Sequence, residues 1–75
     1  MEDEQSSALG RLSRREREVL QLASEGSTNQ AIGTELGLSV HAVKFHLASV
    51  YKKLDVANRT EAVVVMLTRG RSRAV

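Results

Sequence analysis

The chain has 75 residues, 41% hydrophobic and 27% charged, with a formal net charge of +2 and neither cysteine nor proline. A length of this order supports one domain with a small core and leaves no room for a deep enzymatic cleft, while the missing thiols exclude a disulfide framework and a cysteine metal site. The longest apolar run, Ala62 to Leu67, is too short to span a bilayer, and the acidic opening Met1-Glu-Asp-Glu-Gln has the wrong charge for a secretory signal, so a cytoplasmic chain with no membrane partner is expected.

Residues 1–8 carry Glu2, Asp3 and Glu4 without apolar periodicity and are read as a flexible acidic linker. Setting those three acids aside raises the formal balance of the remainder from +2 to +5. That suits a polyanionic partner, although ordinary soluble domains reach it too. Residues 9–70 form the expected domain and residues 71–75 a basic tail; there is no internal repeat.

The domain reads as all-α, four helices with short connections. Ser13 followed by Glu16 is a capping box that starts the first helix. Leu12, Val19, Leu20 and Ala23 fall at i, i+7, i+8 and i+11 as its inward stripe, and Gly26 ends it. The surrounding run Arg14-Arg-Glu-Arg-Glu is a solvated charged face, except that Glu16 is expected to pair with Arg59 and tie the first helix to the fourth. Thr28 caps a second helix over Asn29 to Leu36 and Ser39 a third over Val40 to Leu54. Gly33 and Gly37 flank the corner between them. The first has no side chain to hold the second helix of the pair away, and the second glycine can take the left-handed conformation that reverses the chain, the spacing of a helix-turn-helix. Ile32 and Leu36, then Leu38 at the corner, then Val43 and Leu47, fall where two such helices touch. Asn58 with Glu61 starts the fourth helix, which Gly70 is expected to stop.

The third helix separates its residues into two faces. Val43, Leu47, Val50 and Leu54 point inward, whereas His41, Lys44, Phe45, Ala48 and Lys52 recur at i, i+3, i+4, i+7 and i+11 on the other side. A soluble monomer has no reason to put a phenylalanine there. An α-helix fits the major groove of B-DNA, where lysine donates to guanine, histidine donates or accepts, a ring presses on a thymine methyl, and a small alanine permits close approach. His41, Lys44, Phe45 and Ala48 are the candidate base contacts. The first turn of the second helix, with Thr28 and Asn29, would meet a phosphate. His46 lies toward the inner edge and is read as structural or phosphate-facing. His41 and His46, five residues apart, do not share a face and have no third ligand, so no metal and no cofactor is expected.

Leu12-Ser-Arg-Arg-Glu-Arg-Glu-Val-Leu, then Gly26-Ser-Thr-Asn-Gln-Ala-Ile, Val43-Lys-Phe-His, Lys53-Leu, Val56, Arg59, Ala62 and Gly70 resemble, in order, the LuxR family of helix-turn-helix domains, also called the GerE or NarL type. The resemblance implies a bacterial transcription-regulator module whose third helix reads the major groove and whose fourth supports dimerisation. By that likeness His41, Lys44 and Phe45 fall on base-contacting positions with Ala48 facing the groove. Thr28, Asn29 and Lys52 approach the backbone, and Ser39, the third cap, completes the expected phosphate set. Such domains usually follow a receiver or ligand-sensing domain, so the chain is expected to be an excised module or a stand-alone regulator.

The sequence departs from the pattern at Gly33, where alanine is more common, at Asp55, where glycine is common, and at Met66, commonly alanine. Gly33 should cost helix propensity of about 1 kcal/mol, and Asp55 tolerates the left-handed region better than most residues.

The fourth helix is apolar all round over Ala62-Val-Val-Val-Met-Leu. Ala62, Val63 and Met66 are assigned to the core, and Val64, Leu67 and Thr68 to a two-fold homodimer contact, strengthened on DNA. The expected partners are double-stranded DNA, a second copy of the chain, and RNA polymerase where the regulator recruits it. A helical protein-interaction module using the same face on an acidic partner, such as a polymerase subunit, is the alternative. No nucleophile, base and orienter converge, so no enzyme is expected.

Overall fold

A computed structural model describes residues 9–72, with side chains through Thr68. Four helices follow in order: α1 (Arg14–Ser24), α2 (Asn29–Leu36), α3 (Val40–Leu54) and α4 (Arg59–Ser72). Among the described residues there is no strand.

Local chemistry accounts for the boundaries. Ser13 Oγ accepts from the Glu16 N–H at 3.0 Å while Glu16 Oε1 accepts from the Ser13 N–H at 2.8 Å, a complete capping box. Thr28 and Ser39 cap α2 and α3 by accepting from Ala31 N and Ala42 N. At α4, Asn58 Oδ1 accepts from Glu61 N, but the Glu61 carboxylate reaches one residue further back than a reciprocal box would, to Ala57 N at 2.7 Å.

Three helices end alike. After α1, Gly26 N–H donates to Ala23 O and Ser27 N–H to Leu22 O; after α3, Val56 N–H donates to Tyr51 O; after α2, Leu38 N–H donates to Gly33 O at 2.8 Å. Each reversal passes through a positive φ, at Gly26 (+92°), Gly37 (+72°) and Asp55 (+58°). Asp55 thus takes the left-handed conformation at the position where glycine would be easier. Gly70 does not stop α4 as expected. Helical backbone continues through it to Ser72, because glycine ends a helix by making a left-handed turn cheap and is otherwise tolerated at about 1 kcal/mol.

The inward stripes predicted for α1 and α3 are buried, as are Ile32 and Ala62, while Leu36, Leu38, Val63 and Met66 are half-buried. Leu12, Leu20, Val50, Leu54 and Ala62 form one cluster, and Val19, Ala23, Ile32, Val43 and Leu47 a second, with Tyr51 packed against both. Gly33 is buried at the corner, and a Cβ there would run into the backbone carbonyl of Leu38. The close approach is therefore to the chain entering α3 rather than to the body of that helix. On α4, Ala62 is fully buried, Val63 packs on the second cluster, and Met66 packs on the first together with Val65.

Candidate nucleic-acid interface

Burial of Val43, Leu47, Val50 and Leu54 fixes the rotation of α3 and turns its opposite side to solvent. His41, Lys44, Phe45, Ala48 and Lys52 are all exposed there. Phe45 is 70% exposed, the most exposed large hydrophobic side chain among the described residues. Its ring meets the half-buried His46 edge-on, with centroids 6.2 Å apart and planes at 71°, so His46 braces the ring from the flank. Phe45, Ala48, Ser49 and Lys52 line a shallow recess of about 270 Å³ on this side. Among the described residues neither Lys44 nor Lys52 has a carboxylate within ion-pair distance. The face is thus cationic and partly apolar.

Of the residues expected to meet a backbone, all but Lys52, in the last turn of α3, lie at helix starts. The Thr28 and Ser39 hydroxyls accept from their own helices at 3.1 and 3.0 Å, which leaves each hydroxyl hydrogen available to an external acceptor. Asn29 Oδ1 accepts from Arg59 Nη1 at 2.6 Å, leaving its amide hydrogens as the free end, and Arg59 Nη2 donates to Ser27 O.

That last contact corrects one expectation. Glu16 does not pair with Arg59, whose guanidinium lies against the α1–α2 connection and the start of α2. Glu16 instead crosses to α3, where Ser49 Oγ donates to Oε2 at 2.6 Å and Lys53 Nζ to Oε1 at 2.9 Å. Its side chain is 8% exposed. Burial alone pushes this carboxyl up, but the Ser49 hydroxyl, the Ser13 N–H and the Lys53 ammonium together outweigh it and bring the pKa from 4.5 down to about 2. Sequence spacing places Ser49 and Lys53 on one flank of α3 at i, i+4, but the partner across the bundle depends on how α1 is rotated, which no local pattern encodes.

On α4, Val64 and Leu67 are 55% and 42% exposed and Thr68 is exposed beside them. The Thr68 hydroxyl donates back to Val64 O in its own helix. A separate open groove between α1 and α2 has Leu22 and Leu36 among its lining residues, with Arg17, Glu18 and Glu35 alongside. No group of acidic residues or histidines among the described residues could hold a metal ion, and no helix there is long and apolar enough to cross a membrane.

Two helices joined at a tight corner, the second with a cationic outer face around an exposed ring, are the parts of a helix-turn-helix module of the DNA-binding kind. Comparison with known proteins agrees: residues 10–66 match the profile of bacterial regulatory proteins of the luxR family, and the chain belongs to that family. It is 47% identical over 53 residues to the transcriptional regulatory protein LiaR of Bacillus subtilis, covering 71% of this chain and 25% of LiaR. It is 48% identical over 60 residues to the quorum sensing-dependent regulator RpaR of Rhodopseudomonas palustris, covering 80% and 25%. With DegU of Brevibacillus brevis the identity is 44% over 59 residues, covering 79% and 25%. The chain spans about a quarter of the length of these curated relatives. The family is one of non-enzymatic transcriptional regulators.

Proposed function

We propose that this chain binds double-stranded DNA sequence-specifically as the operator-reading module of a bacterial transcriptional regulator acting in the cytoplasm. The observation that carries the reading is the exposed set His41, Lys44, Phe45 and Ala48 on one side of α3, opposite a fully packed side. In this reading α3 enters the major groove and those four residues contact base edges, while Thr28, Asn29, Ser39 and Lys52 anchor the module on phosphates. Two copies pair through Val64, Leu67 and Thr68 of α4 and so double the length of sequence read. One short helix from each subunit buries less than a standard interface, so pairing is weak in solution and strengthened on a two-fold site. Transcription is then controlled by recruiting RNA polymerase or by occluding it.

The test is selection from a random duplex pool, with the winners re-bound at two salt concentrations. A two-fold symmetric motif with half-site centres about one helical turn apart is expected. A single half-site would remove the symmetric dimer, and absence of enrichment with affinity that collapses in salt would turn the face toward an acidic protein partner.

A further inference from the structure

Ser49 sits at the edge of the exposed side of α3 and has two roles at once. It lines the recess beside Phe45, Ala48 and Lys52, and its Oγ lies 2.6 Å from Glu16 Oε2. A serine hydroxyl has one hydrogen and two lone pairs, and an ionised carboxylate only accepts. The hydrogen is therefore committed to Glu16, and what Ser49 offers the recess is an acceptor oxygen. Glu16 is held in turn, since its other oxygen accepts from Ser13 N at 2.8 Å and from Lys53 Nζ at 2.9 Å.

That polarity decides what can enter. Lys52 in the same recess can hold a phosphate oxygen, but that oxygen carries no hydrogen and the Ser49 oxygen would only repel it. On the base edges of the major groove the hydrogen donors are the N4 amine of cytosine and the N6 amine of adenine. Resting on the reading of α3 as the helix in the groove, we propose that Ser49 is a further specificity-determining residue that accepts a hydrogen bond from the exocyclic amine of cytosine or adenine, with Glu16 its positioning residue.

Glu16→Gln supplies a readout that a merely structural role would not move. Oε1 takes two donors, so the glutamine carbonyl oxygen stays there and its NH2 replaces Oε2. The amide then donates to Ser49, whose hydrogen is released toward the recess, and the preference for an amine gives way to guanine or thymine, whose major-groove edges present acceptors and no donor.

The experiment selects sites from a random duplex pool with the whole chain and with Ser49→Ala, Ser49→Thr and Glu16→Gln, each confirmed helical by circular dichroism. Wild type should prefer cytosine or adenine at one position of the half-site by about tenfold; Ser49→Ala should flatten that position alone, Ser49→Thr should retain it, and Glu16→Gln should reverse it. If wild type enriches no motif, the DNA reading fails and the proposal with it. A wild-type motif that Ser49→Ala leaves unaltered at every position overturns the proposal alone. Should Glu16→Gln not fold, the two Ser49 variants decide.

Discussion

Glu16 shows how much one buried carboxylate can carry in a chain this small. It closes the capping box of α1, holds Ser49, and pairs with Lys53, joining the first helix to the third. Its folded pKa of about 2 lies below the ordinary 4.5, so the ionised form contributes stability that is fully present above pH 4.5 and is lost as pH falls toward 2. The size is on the order of 2 to 3 kcal/mol once solvent screening of the partly exposed Lys53 is allowed for. Urea melts between pH 6 and 2 should therefore show wild type losing stability through that window. Glu16→Gln should be weaker at neutral pH and lack this part of the acid dependence; an identical acid profile in both proteins would reject this role for the carboxylate. Lys44, with no carboxylate within ion-pair distance among the described residues, lies on the side of α3 proposed to bind DNA. Lys44→Ala is expected to leave the fold intact and weaken specific binding by about 1 to 3 kcal/mol. Equal losses in Kd on operator and random duplexes would make it a phosphate contact.

At the scale of elements, helix starts and stops were legible because they depend on residues within one turn. Ser13, Thr28 and Ser39 cap as their spacing requires, and α2 and α3 occupy the expected ranges. Asp55 accepts the left-handed turn that its position demands. Gly70 misled because a glycine permits a helix end without causing one. At the corner a β-carbon on Gly33 would run into the Leu38 carbonyl, so the chain entering α3 must shift to admit a larger residue. Gly33→Val should lower stability by about 1 to 3 kcal/mol through overpacking, read as a reduced urea midpoint with helical content retained in the folded baseline. A midpoint equal to wild type would mean the corner can open freely.

For the whole molecule, the question is what α4 does with its second apolar side. Ala62 completes the first cluster, and Val65 and Met66 cover it, yet Val64 and Leu67 stay open to solvent. Leu67→Asp should leave monomer stability within about 0.5 kcal/mol, as exposed substitutions do, while reducing affinity for a two-fold site far more than for a single half-site. Sedimentation with and without a duplex would check both; equal losses on the two sites would argue against pairing through α4.

By itself the sequence determined the helices, their caps, the two sides of α3 and the family, since each is written in residues at most a few turns apart or in an ordered string of motifs. Tertiary structure alone decided that Glu16 meets Ser49 and Lys53 rather than Arg59, and that Arg59 holds Asn29. Those contacts join residues 30 to 37 positions apart. They exist only once the packing of two apolar clusters has set the rotation of each helix against its neighbours, and a periodic pattern names the face a residue occupies without naming what that face will meet.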